Sequence, residues 1–202
     1  MNTKKWNFGM ALAILLMCAG SAFAGTITYT EQAYGSGFLG GSAFTNDLIT
    51  LSFTGNTSNV VLSPFVPGAL FNYAGPDAVT LTVGSNTTTL LDNVAVFVNP
   101  NFQLAGFSDI SVRADVLDTI NAGFSSYGLT TAIGPLSGSS DISPDAGFLT
   151  SDGFFNIASA GNSTFTATTG LSPVPEPSSL VLLGTGLLGA AAAFRMKFFA
   201  YR

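Results

Sequence analysis

The 202-residue chain carries a net charge of -5, has only 8% charged residues and contains no histidine. Roughly 25% charged is typical of a soluble domain, and the length leaves room for about one domain plus processing segments. All eleven acids fall between Glu31 and Glu176, while every base except Arg113 sits near an end; so acidic a body repels phosphate backbones and excludes nucleic acid as a partner.

Lys4 and Lys5 precede an apolar stretch over residues 10–20, closed by Ser21-Ala22-Phe23-Ala24. This is the pattern of a secretory signal peptide over residues 1–24, with small residues at Ala22 and Ala24 and cleavage by signal peptidase before Gly25. The apolar run, about 11 residues, falls short of the ~20 that span a bilayer. Cys18 lies inside the discarded segment, so the mature chain forms no disulfide and its fold rests on packing.

Residues 25–172 form the cargo domain. Its dominant period is two. Ile27 and Tyr29 alternate with Thr26, Thr28 and Thr30; Ile49, Leu51 and Phe53 with Thr50, Ser52 and Thr54; Val79, Leu81 and Val83 with Thr80 and Thr82. Threonine is β-branched and suits the solvent side of a pleated sheet. Residues 94–98 are continuously apolar and read as a central strand. Gly75-Pro76-Asp77, Gly84-Ser85-Asn86, Ser143-Pro144-Asp145 and Ser151-Asp152-Gly153 punctuate the runs as turns. Such spacing predicts an all-β domain, a β-sandwich or jelly roll. Val112, Val116, Leu117, Ile120 and Phe124 recur at helical spacing, which predicts a short helix or a crossover within residues 109–124.

The cargo lacks His, Cys and Lys, and with them the usual general base, thiol nucleophile and Schiff-base amine. We therefore expect no enzyme activity and no cofactor. The alternatives rest on acids. A carboxylate-dependent glycosidase needs two carboxyls across a sugar cleft, and Asp115 and Asp118 lie three apart. A calcium-stabilised adhesive module would draw on loop oxygens; no EF-hand loop is present, no metal is assigned, and Asp141, Asp145 and Asp152 are the first residues to test. Gly35-Ser36-Gly37-Phe38-Leu39-Gly40 matches a dinucleotide fingerprint, but strand-like residues follow where a helix should open, so it reads as a glycine-rich bend. Arg113, the cargo's one cation, is expected to pair with Asp109, Asp115 or Asp118.

Past the cargo, Pro173, Pro175 and Pro177 hold an extended spacer. An apolar, glycine-containing run over residues 180–194 and the basic Arg195, Lys197 and Arg202 follow. Together they predict a transmembrane helix over about 179–197 with a positive stop. The bases at both ends belong on the cytoplasmic side, which leaves the acidic cargo outside the inner membrane.

The order of Val174-Pro175-Glu176-Pro177, apolar segment and basic end resembles the PEP-CTERM sorting signal of Gram-negative bacteria, over roughly residues 174–197. Residues 198–202 extend beyond that pattern. The resemblance implies that Val174, Pro175, Glu176 and Pro177 are recognised by an exosortase, a membrane transpeptidase. It also implies that the chain is anchored transiently and then delivered to the cell surface or extracellular matrix. The resulting expectation is an exported, non-enzymatic surface or matrix protein associated with exopolysaccharide.

Overall fold

The structure is a computed structural model and describes residues 25–170. The signal peptide with Ala22 and Ala24, the sorting residues 174–177, the helix expected over about 179–197 and the stop residues Arg195, Lys197 and Arg202 lie outside the described residues. Among the described residues no helix is long and apolar enough to cross a membrane.

As the alternating pattern predicts, the described residues are nearly all β, interrupted by two short 3-10 segments at Thr57–Asn59 and Ala122–Ser126. In chain order the strands are β1 (Thr26–Leu39), β2 (Ser42–Asn56), β3 (Val60–Leu62), β4 (Leu70–Tyr73), β5 (Val79–Val83) and β6 (Asn86–Leu90). After them come β7 (Val94–Asn99), β8 (Leu104–Asp109), β9 (Ala114–Ile120), β10 (Ile133–Asp141), β11 (Phe148–Thr150) and β12 (Gly153–Thr169). All pairings are antiparallel.

Two ladders result. The first runs β6-β5-β2-β1-β12, and β11 links β12 back to β6 through the single bridge Thr150–Leu90. The second runs β3-β4-β7-β8-β9-β10. Strand β10 belongs to both: Ile133–Gly138 lies along β12, and Ser139–Asp141 along β9. Long β1 and β2 form one hairpin, closed by Gly40 and Gly41 at φ 59° and 82°. Two successive positive φ values make the turn whose twist matches the strands it joins, and glycine adopts them without strain.

One core fills the space between the ladders. Ile27, Tyr29, Ile49, Leu51 and Leu81 from the first meet Val94, Val96, Val98, Phe107 and Leu117 from the second. Phe165 stands near the centre, with ring centroids of Phe124, Tyr127 and Tyr29 at 5.5, 6.1 and 6.3 Å. Full burial of each such ring contributes about 1.5–3 kcal/mol. Tyr29 also stitches the layers: its hydroxyl donates to Leu129 O at 2.6 Å and accepts from Asn72 Nδ2 at 2.9 Å. Every residue of β7 is buried, as expected of a central strand. A smaller apolar cluster of Ala69, Phe71, Ala95 and Phe97 covers the other side of the second ladder.

The expected helix within residues 109–124 is not there. The segment comprises the end of β8, a tight turn, β9 and a 3-10 segment over Ala122–Ser126. A bulge explains the misleading period. Phe107 pairs with Leu117 but Ser108 pairs with Asp115, so β9 holds one extra residue, Val116. That insertion shifts the two-residue alternation and spaces the apolar residues as a helix would.

Candidate functional site

The same bulge builds the most unusual group of side chains in the domain. Residues three apart on a regular strand face opposite sides. Across the bulge, Asp115 and Asp118 instead stand opposite Ser108 and Gly106, which share one side of β8. Asp141 is the direct cross-strand partner of Asp118. Each of the three brings a carboxylate oxygen within 4.8 Å of the others. Gly106 makes the room: a Cβ there would collide with Asp118 Oδ1.

The three acids differ in exposure. Asp141 is open to solvent, Asp115 is half-buried, and Asp118 is fully buried with no hydrogen-bond partner on either carboxylate oxygen. Burial, reinforced by the charges of Asp115, Glu31 and Asp141, pushes the Asp118 carboxyl well above its ordinary range; the nearby Phe107 backbone acts weakly in the opposite direction but does not reach hydrogen-bond geometry with either oxygen. Burial also raises Asp115. The neighbouring loop is held in place, since Asp115 N donates to Ser143 Oγ at 2.9 Å and Ser143 N to Asp115 O at 3.0 Å.

Asp115 also lines a cleft of about 220 Å³ on the outer side of the second ladder. Phe71 and Phe97 line its floor, stacked at 5.7 Å, with Tyr73 5.9 Å from Phe71. Arg113 lies at its rim. The sequence pointed to an ion pair for this residue; its guanidinium instead lies 4.9 Å from the ring centre of Phe65, with its backbone at φ 58° in the β8–β9 turn. Among the described residues it makes no ion pair with Asp109, Asp115 or Asp118.

On the inner side, Glu31 is wholly buried. Thr119 Oγ1 lies 2.5 Å from Glu31 Oε1 and 2.7 Å from Ser163 Oγ, and Ser163 Oγ donates to Asp118 O at 2.9 Å. The single Thr119 proton serves only one of its two contacts. A proton on Glu31 completes the chain: Glu31 donates to Thr119, Thr119 to Ser163, and Ser163 to the carbonyl. Burial pushes the Glu31 carboxyl up in the same direction.

The outward side of the first ladder is a surface of hydroxyls. One cross-strand row runs Thr87, Thr82, Thr50, Gln32, Thr164, Ser137 over six strands. A second runs Thr89, Thr80, Ser52, Thr30, Thr166. Neighbours bond to one another: Thr82–Thr87 at 3.1 Å, Gln32 Nε2 to Thr50 at 3.1 Å, and Ser137–Thr164 at 2.8 Å. Neither row contains a charged residue. Farther along the same strands, Tyr34, Phe38 and Phe154 expose 57%, 53% and 67% of their surface.

Of the calcium candidates read from sequence, Asp141 joins the carboxylate trio. Asp145 sits in the turn after Pro144, and Asp152 in the turn between β11 and β12. The glycine-rich fingerprint is part of β1: a Cβ on Gly35 would lie 2.8 Å from Ser159 O, and one on Gly37 would collide with Asn156 O. Its glycines allow close strand approach and lie in a strand, not at the start of a helix. Gly25, the first residue after the expected cleavage site, donates its N–H to Thr57 Oγ1 at 3.1 Å.

Residues 173–197 match the PEP-CTERM protein-sorting motif. They include Val174, Pro175, Glu176 and Pro177, and a motif of this kind marks a chain for export and sorting by an exosortase. No curated protein and no solved structure matches the chain.

Proposed function

We propose that this chain, exported under its sorting motif, is a non-enzymatic cell-surface or matrix protein whose hydroxyl-bearing sheet face associates with exopolysaccharide. The two cross-strand hydroxyl rows carry the proposal. A hydroxyl both donates and accepts, so it matches sugar hydroxyls in either sense. Six strands at about 4.8 Å spacing repeat that match over roughly 24 Å, and many weak contacts in series add into useful avidity. The exposed rings of Tyr34, Phe38 and Phe154 offer flat apolar faces beside the rows. The two rows hold no fixed charge to repel an anionic polymer.

The rest of the assignment follows the motif. Signal peptidase removes residues 1–24, the tail holds the chain in the inner membrane for a time, and the exosortase processes it for delivery to the surface or matrix. The shared core between two ladders supports assigning the cargo to a β-sandwich or jelly-roll-like fold. A glycosidase needs two carboxyls that reach a sugar from either side of the scissile bond. Here Asp118 has no exposure and the trio is gathered at one spot, which favours a non-enzymatic role.

The test is a pull-down of the purified chain on exopolysaccharide from the producing cells. Replacing Thr50→Asp together with Thr82→Asp puts two charges in the middle of the row without touching the core. Binding should fall by about tenfold or more, with the circular dichroism spectrum unchanged. Wild-type retention no better than that of an inert control defeats the assignment.

A further inference from the structure

We infer that Asp115, Asp118 and Asp141 form a calcium site that clamps the sheet-crossing end of β10 to β9. Two independent observations converge on it. The first is geometric: three carboxylates, brought together by a bulge and a cross-strand pair, hold oxygens within 4.8 Å of one another. Like charges at that separation repel unless something positive lies among them. The second is Asp118 itself, fully buried with both oxygens unpartnered. A buried carboxylate without hydrogen bonds or counter-charge is expensive to maintain, and native folds supply a partner. Arg113, the one cationic side chain among the described residues, is engaged over Phe65.

The donor set fixes the class of ion. All three side chains are carboxylates, and the described residues contain no histidine or cysteine, so the site offers hard oxygen ligands alone. Three carboxylates provide up to six oxygens, and calcium takes six to eight in flexible geometry, whereas magnesium demands a near-ideal octahedron and keeps much of its water. Asp141 is exposed, which gives the ion a way in and leaves room for water ligands. The position has a structural consequence. Asp141 is the last residue of β10 after that strand has left β12 for β9, and Ser143 just beyond it is bonded to Asp115. An ion here fixes the junction of the two ladders.

The test uses the full chain in detergent, stripped with EDTA and followed by thermal melting and by calorimetric titration with calcium chloride. Calcium should raise the melting temperature; magnesium at the same concentration should do so far less, and sodium chloride at matched ionic strength not at all. Asp118→Asn and Asp141→Asn should each weaken calcium affinity by about 100-fold or more, at or beyond the upper end of what losing a mere supporting group costs. Asp145→Asn and Asp152→Asn should leave it unchanged. Asp141 is exposed, so Asp141→Asn decides the matter even where Asp118→Asn fails to fold. Absence of any calcium-specific shift in the wild type overturns the site, as does undiminished binding by Asp141→Asn. A magnesium response equal to that of calcium overturns the choice of ion.

Discussion

Glu31 shows how one side chain ties a layer interface to pH. It faces the Thr119 and Ser163 hydroxyls, and its charge also acts on Asp118. Its folded pKa is raised, so the folded state keeps a proton that the unfolded state releases as pH climbs past the ordinary value of 4.5. The stability it contributes is therefore complete below about pH 4.5 and is lost as pH rises toward the folded pKa. Within that window the loss amounts to about 1.4 kcal/mol per pH unit. Glu31→Gln keeps a donor toward Thr119 at every pH. Urea unfolding in EDTA should show wild-type stability falling as pH rises above about 4.5, and a shallower fall for Glu31→Gln, the remainder coming from Asp118 and Asp115. Equal slopes for the two proteins would show that Glu31 is ionised in the fold.

At the level of the strands, β8 and β9 show where sequence periodicity informs and where it misleads. Alternation of Thr with Ile, Leu or Val in β1, β2 and β5 was legible because one side of each strand is buried and the other wet. The continuous apolar run of β7 was legible for the opposite reason: both its sides are covered. Nothing local marked the bulge at Val116, so residues 109–124 mimicked a helix. For the same reason Asp115 and Asp118 did not announce themselves as neighbours, and Asp141 reaches them through a pairing 23 positions away in sequence. The hydroxyl side of each strand could be read singly, but its continuity over six strands depends on the strand order, which pattern alone does not supply. Gly106 offers a test of this pairing. Ala for Gly in a strand ordinarily stabilises, by about 0.4–1 kcal/mol through the unfolded chain. At Gly106 the added Cβ meets Asp118 Oδ1 and the Leu117 carbonyl, so Gly106→Ala should instead destabilise by about 1–3 kcal/mol. A lower urea midpoint at unchanged slope is the expected result; a higher one would mean that Asp118 is not seated over Gly106.

Across the whole molecule, recognition and cargo occupy different stretches of chain, and this separation makes delivery testable on its own. The sorting match covers residues 173–197, while the strands end at Thr169. A change in the motif should therefore alter where the protein goes and leave its β-domain as it was. Within Val174-Pro175-Glu176-Pro177, three residues are apolar and only Glu176 offers a charge. The flanking prolines fix their own φ and remove two N–H groups, so the carboxylate is the group most able to carry a specific contact. Glu176→Ala should leave the chain in the inner-membrane fraction with its tail attached, seen as the unprocessed mass, while the melting temperature of the cargo stays at the wild-type value. Glu176→Gln separates charge from shape: it should behave like Glu176→Ala where the enzyme reads the negative charge and like the wild type where it reads the acceptor oxygens alone. Normal processing and delivery of Glu176→Ala would transfer recognition to the prolines and the apolar segment, whatever the cargo binds.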